Sequence, residues 1–440
     1  MDSQCNDAFA LYQRCVPSSV VEYLQKQLRV QVRHSIFTTA VVIWLMILQR
    51  LQPKGTLATA VEALLAGAAD GLLSGCERAR QKRISHRTGG YSHARQRLPK
   101  LLCKQVVQEL ILRLRELLNA GSGVRSYVLD GSSLELESTT ALRKAYPPAQ
   151  NQHGRGHWPV TRIVVLHDLE TGLAEEPQWG PMYGPEATSE QRLAEAAMDA
   201  LTPGAILIAD RNFGVFTIAW AAQQRCLGTV VRLTAERARK LLGRSISAPG
   251  AWPVCWMASR SDGKRRGGMP PEASVQGRLV AARVGRGKSK QWLLLFTTTS
   301  LPMEQLVELY QKRWRIETDL RSLKRTVHLQ HVTARQPSMM EKEILTAIAA
   351  YNLVRAIMAL AAARHQLSPR QLSFTFALNV VNAAWQRLQS APDELSYQRE
   401  VFRLLDAVAQ GKHPRRRKRR SYPRTVWPHG GTFPHPKTSQ

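Results

Sequence analysis

The sequence predicts a mixed α/β fold flanked by helical regions at both ends of the chain. Short apolar runs typical of buried strands recur in the middle, at 124–137, 161–172, 205–214 and 228–233. Two segments with helical periodicity lie between them, at 189–201 and 215–225. Strands that alternate with helices indicate an α/β core. At 440 residues the chain is long enough for two or three domains.

The regions outside this core have helix-period or continuous apolar patterns. In residues 1–120 they predict helices at 17–32, 36–52, 56–67 and 101–119. Residues 76–100 are polar and rich in Lys and Arg, which indicates a DNA-facing loop or short-helix region, or alternatively a solvated linker. We therefore expect residues 1–120 to be a helical, basic DNA-binding region.

Residues 331–440 are predicted to contain three helices and a tail. The helices are expected at 341–366, 368–390 and 393–410, so that residues 331–410 form a helical region available for dimerisation. The tail, 411–440, is basic and rich in proline, which predicts disorder. It either lies along phosphates or keeps the protein soluble.

The chain carries a strong positive charge, with 62 Lys and Arg against 33 Asp and Glu, a formal net charge of +29. A field of that sign attracts polyanions, and nucleic acid is the first partner to expect. The alternative is a generally basic soluble protein. Local clustering of the basic residues favours the nucleic-acid partner.

Cysteine spacing and hydropathy exclude several classes of protein. No pair among the six cysteines has C-x-x-C spacing, which disfavours a zinc site. No signal peptide opens the sequence, so we expect a reducing cytosol and free thiols. The most apolar run, 36–48, is too short to span a bilayer and predicts a buried helix, with no membrane partner.

Two aspartates end apolar strand patterns in the predicted core. Asp130 and Asp210 each follow such a run, and residues 124–137 predict two strands joined by a tight turn at Gly131 and Ser132. A carboxylate at the end of a buried strand is costly unless it is neutralised, and Mg²⁺ does so with oxygen ligands. Two Asp and a Glu could hold two ions for phosphoryl transfer. The alternative is that both Asp are turn residues.

A helix predicted at 302–328 supplies a candidate Glu. On an ideal helix, Tyr310, Arg313, Glu317 and Lys324 fall within an arc of about 60°, beside an apolar stripe. Arg313 and Lys324 would contact phosphates near the reacting one, and Tyr310 would donate its hydroxyl to a phosphate or stack on DNA. Alternatively, Glu317 pairs with neighbouring Arg side chains at i±4, and Tyr310 borders the core.

The pattern Y-x2-R-x3-E-x6-K in YQKRWRIETDLRSLK resembles the signature of insertion-sequence-four-type bacterial transposases. The motifs DGSS and ADRNFG precede it in that family's order, and NQHGRGHWPV and AYNLVRA are also similar to family segments. The resemblance covers roughly residues 85–400.

The resemblance implies a ribonuclease-H-like catalytic core over residues 121–330. It also implies a β-rich insertion, which we place at about 234–300, where Gly, Arg and Ser are frequent. Carried over by motif, the catalytic and metal-binding triad is Asp130, Asp210 and Glu317. Two Mg²⁺ ions are expected, with Mn²⁺ as a substitute.

The predicted DNA-contacting residues lie around the same motifs, and of them Trp292 follows from the resemblance: Tyr310, Arg313, Lys324, Arg211 and Trp292. Trp292 leads the WLLLF strand and would stack on a base flipped out of the DNA, which offsets the unstacking cost. The alternative for Trp292 is a core tryptophan.

The predicted function is that of a DNA transposase. The resemblance implies that the protein binds the ends of an insertion sequence, cuts them with divalent metal and joins the 3′-hydroxyl ends to target DNA. It also implies a homodimer across two DNA ends, which we expect in the bacterial cytoplasm and on the nucleoid. Two alternatives stay open, namely a hydrolytic nuclease of the same fold and an inactive relative that represses by binding DNA.

Overall fold

A computed structural model describes residues 7–31, 36–81, 84–118, 123–151, 154–266, 269–285 and 291–413. The prediction of disorder for the tail, 411–440, falls almost entirely outside these residues.

One mixed sheet forms the centre of the molecule. Its strands are β1 Ser126–Glu135, β4 Val160–Asp168, β5 Gln178–Pro181, β6 Ile206–Ala209, β7 Gly228–Arg232, β8 Gly250–Met257, β9 Ser274–Val284 and β10 Gln291–Thr297, while β2 Gln150–Asn151 and β3 Gly154–Arg155 form a separate hairpin. The order is β5-β4-β1-β6-β7-β10-β9-β8. Strands β1, β6 and β7 run parallel, and the other neighbours are antiparallel. This arrangement agrees with the predicted ribonuclease-H-like α/β fold.

The helices surround this sheet. They are α1 Ala8–Cys15, α2 Ser18–Gln27, α3 Thr39–Leu51, α4 Leu57–Leu65, α5 Asp70–Leu73, α6 Glu77–Arg80, α7 Gly89–Arg97, α8 Lys100–Leu118, α9 Thr140–Ala145, α10 Glu190–Ala197, α11 Phe216–Gln223, α12 Ala235–Leu242, α13 Arg260–Arg266, α14 Met303–Gln311, α15 Arg315–Arg321, α16 Pro337–Arg364, α17 Phe374–Gln389 and α18 Glu394–Gln410. Short 3-10 turns lie at Met198–Ala200, Lys312–Trp314 and Pro369–Gln371.

Helix α16 is the centre of the helical part of the protein. Helices α3, α8, α17 and α18 all pack against it, so the N-terminal and C-terminal helices share one apolar core. By length and composition α16 could cross a membrane, but 94% of its most apolar window is buried inside the protein. It therefore reads as a core helix, and so does α3, where the sequence predicted a buried helix.

The two faces of the sheet bury different partners. Val128, Ile208 and Val230 face the helical core around α16. Their strand neighbours Leu129 and Ala209 pack in a second core with α10 and α11. Because β1 and β6 are buried on both faces, they appear in the sequence as continuous apolar runs.

The tight turn predicted at Gly131 and Ser132 is wrong. Strand β1 continues through both residues and pairs with β4 from Tyr127↔Asp168 to Glu135↔Val160. Asp-Gly-Ser-Ser is typical of turns, but here the neighbouring strand β4 binds the backbone along the whole length. Only the parallel pairing with β6 ends early, at Val128↔Ile208. Asp130 therefore lies within a strand, just beyond the end of that pairing.

The continuous helix predicted at 302–328 is also wrong. Helix α14 gives way to a 3-10 turn, then to α15, and then to a π-helical turn at Ser322–Thr326, where the Val327 amide donates to Ser322 O at 3.1 Å. Each change of helix type changes the angle per residue, and π turns occur frequently at functional sites. The spacing between Tyr310 and Lys324 on an ideal helix does not describe this segment.

Strands β8 and β9, in the predicted insertion, extend the central sheet beyond β10. Helices α12 and α13, which the sequence did not predict, lie in the same stretch.

Candidate active site at the end of the parallel strands

Two aspartates lie side by side where the parallel strands β1 and β6 stop pairing. Val128 and Ile208 are partners in the parallel ladder. Asp130 and Asp210 each lie two residues further on, which places the Asp130 side chain on the face of Val128, and Asp210 is close enough for its charge to act on Asp130. Neighbouring strands are about 4.8 Å apart. The register thus brings the two predicted site residues together at one end of the sheet.

Each aspartate is oriented by a nearby backbone amide. The amide of Gly131 donates to Asp130 Oδ1 at 2.9 Å, and the amide of Asn212 donates to Asp210 Oδ1 at 2.8 Å. Burial raises the pKa of Asp130 to about 6, with the negative charges of Asp210 and Glu190 adding to it and the Arg313 guanidinium opposing it. Asp130 is thus a partly buried acid that a bound cation would stabilise in its charged form.

The donor set fits a hard divalent cation but is incomplete among the described side chains. Carboxylate oxygens are the ligands that Mg²⁺ prefers. Among the described residues, no three His, Cys, Asp or Glu side chains are grouped closely enough to hold a metal ion. Helix α15, which carries Glu317, packs against β1, but the Glu317 side chain itself lies outside the described part.

Lys324 binds β1 just beyond Asp130. Its Nζ donates to Ser132 Oγ at 2.9 Å and to Ser133 O at 3.2 Å. Ser132 lies on the same face of β1 as Asp130, because strand side chains alternate. Lys324 therefore fastens the π-helical turn after α15 to the strand that carries the first aspartate.

The structure buries two of the four residues that the sequence placed in one arc beside the apolar stripe. Tyr310 is 3% exposed and Arg313 is 7% exposed, with the Arg313 guanidinium 5.8 Å from the Tyr310 ring centroid. Burial raises the pKa of Tyr310, against the nearby charges of Arg313 and Arg232, while Asp210 raises it further. Tyr310 and Arg313 are thus buried near the aspartates, and the charge of Arg313 partly offsets that of Asp130.

Trp292 and Arg211 lie at the same end of the sheet but not against the carboxylates. Arg232 of β7 is level with Asp210 and pairs with Leu295 of β10. Trp292 lies three residues before Leu295 on β10, about 10 Å beyond the level of Asp210. The Trp292 ring is half-buried and packs on the α11 side of the sheet, opposite to the Asp130 face. The Arg283 guanidinium lies 3.9 Å from its ring centroid. Arg211 is exposed beside Asp210.

A buried ion network, which no sequence pattern predicted, anchors α15. Asp319, 1% exposed, binds Arg355 of α16 and also Arg370, whose Nη1 lies 2.5 Å from Asp319 Oδ2. Arg370 donates further to the carbonyls of Asp168 and Leu169 at the end of β4. Burial alone would raise the pKa of Asp319, but the charges of Arg355 and Arg370 outweigh it and keep that pKa below its usual value. The network fixes α15 to α16 and to the sheet.

Replacing Asp130 with Asn should stabilise the metal-free protein at neutral pH. Because the pKa of Asp130 is raised to about 6, the folded state loses stability as the pH rises from about 4 to about 6, and the full cost remains above pH 6. We expect Asp130→Asn to recover about 1–3 kcal/mol at pH 7.5, a rise in Tm of a few degrees, and less at pH 5. Thermal unfolding with EDTA at both pH values measures this. An equal change at the two pH values would refute the effect.

Comparison with known proteins agrees with this arrangement. The family described as Transposase DDE domain matches residues 124–353. The matched segment begins just before β1 and ends within α16. The chain is also 27% identical over 331 residues to Transposase InsG for insertion sequence element IS4 of Escherichia coli (strain K12). That alignment covers 72% of this chain and 71% of the relative.

Proposed function

This chain belongs to the transposase DDE domain family, and on that premise we propose that Asp130, Asp210 and Glu317 form its catalytic triad. As a member of that family it is a DNA transposase, an enzyme that cuts and joins DNA strands. The observation that carries the assignment is the parallel register, in which Val128 pairs with Ile208 and each aspartate follows two residues later. The packing of α15 against β1 supports the choice of Glu317.

Divalent metal use follows from the family, and we propose two Mg²⁺ ions held by the triad, with Mn²⁺ as a substitute. When bound, such ions activate the attacking oxygen and stabilise the leaving oxygen of the phosphodiester. The protein's own part is to hold the carboxylates in place. The amides of Gly131 and Asn212 orient them, and buried Arg313 offsets the charge of Asp130 in the absence of metal.

We propose that DNA runs over the end of the sheet where the aspartates lie. Arg211 is exposed there, and Lys324 is partly exposed on the same face as Asp130. The basic segment 76–100 contributes exposed Arg78, Arg87 and Arg97, which supports its role in binding DNA outside the catalytic site. Arg and Lys in such positions would contact phosphates and make binding salt-dependent.

A product assay separates the transposase from a hydrolytic nuclease of the same fold. Labelled duplexes that end in the element's terminal repeats are incubated with the protein, Mg²⁺ and a supercoiled target plasmid. A transposase gives cut ends whose 3′-hydroxyls become joined to the target. Cut ends that never join would favour the nuclease, and specific binding without any cutting would favour the DNA-binding repressor.

Trp292→Ala should lower the rate of end cleavage about 5- to 150-fold, because base–aromatic stacking contributes about 1–3 kcal/mol. The matched control is Trp252→Ala, since Trp252 is also half-buried and also has an arginine, Arg244, near its ring, at 5.8 Å. Single-turnover cleavage of a matched duplex and of one lacking the terminal base measures the effect. If Trp292 holds a flipped base, the substitution should matter only for the intact duplex. Equal losses on both duplexes would contradict base stacking.

We also propose that the active unit is a homodimer on two DNA ends, acting in the bacterial cytoplasm on nucleoid DNA. The C-terminal helices α17 and α18 expose Phe376, Leu395 and Phe402, which supports residues 331–410 as the contact. Light scattering of the protein with and without its DNA ends would give the stoichiometry.

A further inference from the structure

We propose that Glu190 is a positioning residue of the metal site, which braces the Asp210 loop from the opposite face of the sheet. The inference rests on the proposed triad and assigns a role to a residue of α10 outside all the motifs of the sequence. Glu190 lies in the first turn of α10, after the N-cap Ser189.

The first contact of Glu190 is with the loop that carries Asp210. Its carboxylate Oε2 accepts a hydrogen bond from the Asn212 side-chain amide. The backbone amide of the same Asn212 donates to Asp210 Oδ1 at 2.8 Å. The neighbouring Gln191 side chain donates to Asn212 O at 3.4 Å. The start of α10 thus binds both the side chain and the backbone carbonyl of Asn212, and the backbone amide of Asn212 in turn binds Asp210.

The second contact is with the strand that carries Asp130. A Cβ added to Gly131 would lie 1.8 Å from Glu190 Oε1 and 2.7 Å from its Cδ, so the Glu190 side chain occupies the space that a side chain at 131 would need. Because strand side chains alternate, the α10 side of Gly131 is the face opposite to the Asp130 side chain. Glu190 therefore touches both aspartate-bearing segments from behind.

This placement favours bracing over metal ligation. Glu190 approaches from the α10 face, one of its oxygens is engaged by Asn212, and it completes no group of three ligands among the described side chains. Partners that orient metal ligands typically change metal affinity or activity 10- to 100-fold when they are removed. A brace needs a hydrogen-bond acceptor at residue 190 and not a negative charge.

The test compares Glu190→Ala with Glu190→Gln in the full-length protein, with Mn²⁺ alone as the titrant in calorimetry. Gln keeps an acceptor for Asn212 and loses the charge. We expect Glu190→Ala to weaken Mn²⁺ binding about 10- to 100-fold and Glu190→Gln to stay within about threefold of the parent. Asn212→Ala should match Glu190→Ala, and the double variant should be no worse than either single one.

Gly131→Ala provides a second test from the other strand. The added methyl should displace Glu190 and weaken Mn²⁺ binding by a similar factor, whereas in a Glu190→Ala background the space is free and the added loss should be small. If Glu190→Gln and Glu190→Ala weaken Mn²⁺ binding equally, or if Glu190→Ala does not weaken it, Glu190 is not a positioning residue. Asp210→Asn separates the two proposals. If Asp210→Asn leaves Mn²⁺ binding intact, the proposed triad is wrong. If Asp210→Asn loses Mn²⁺ binding while Glu190→Ala binds Mn²⁺ as the parent does, only the role of Glu190 is rejected.

Discussion

Asp210→Asn is expected to lower the rate of DNA cleavage by at least about a thousandfold, which corresponds to a barrier increase of about 4 kcal/mol. The substitution keeps the size of the side chain and its hydrogen bond from the Asn212 amide, but removes the charge that a divalent ion needs. Binding of the DNA ends should remain, since the proposed phosphate contacts come from other residues. Single-turnover cleavage and a gel-shift titration measure the two properties separately.

The matched control for Asp210→Asn is Asp199→Asn. Asp199 lies just after α10 and pairs with Arg225 near the surface, and it has no role in the proposed chemistry. The cleavage rate of Asp199→Asn should stay within about twofold of the parent, because exposed ion pairs contribute little to stability. Cleavage by Asp210→Asn at the parental rate would remove Asp210 from the triad.

Asp319→Ala is expected to destabilise the protein by about 3–5 kcal/mol, because it leaves the buried guanidiniums of Arg355 and Arg370 without their shared anion. Since Asp319 lies two residues after Glu317 on α15, cleavage should fall together with stability. Urea unfolding, followed by the loss of helical circular dichroism, measures the change in free energy.

Asp406→Ala is the control for Asp319→Ala. Asp406 also has two partners, Arg364 and His365, but the pairs are on the surface. Its loss should cost less than about 1 kcal/mol. If both variants lose the same small amount of stability, the buried network does not anchor α15.

The sequence singled out Asp130 and Asp210 because the feature that marks each of them is local in the chain. Both follow runs of apolar residues that are buried on both sheet faces, and such runs are visible without knowledge of the fold. The turn predicted at Gly131 failed for the opposite reason. Whether Asp-Gly-Ser-Ser turns or stays extended depends on β4, a strand about thirty residues away in the chain, which continues to pair with β1.

The shared arc predicted for Tyr310, Arg313, Glu317 and Lys324 assumed one regular helix. The 3-10 and π-helical turns rotate these residues relative to each other, so Tyr310 and Arg313 are buried while Lys324 reaches Ser132. The packing that imposes those turns comes from α16 and the sheet, which no local pattern reveals. Asp319 and Glu190 were missed for a related reason, because their partners are distant in sequence and a single charged residue on a helix usually faces solvent.

The central claim, that Asp130, Asp210 and Glu317 share one metal site, is tested most directly by replacing the metal with Fe²⁺. With ascorbate and peroxide, bound Fe²⁺ produces hydroxyl radicals that cut the polypeptide close to the ion. We predict cuts near residues 130, 210 and 317 together, all suppressed by excess Mg²⁺ and all lost in Asp210→Asn. Cuts near 130 and 210 without any near 317 would contradict the triad.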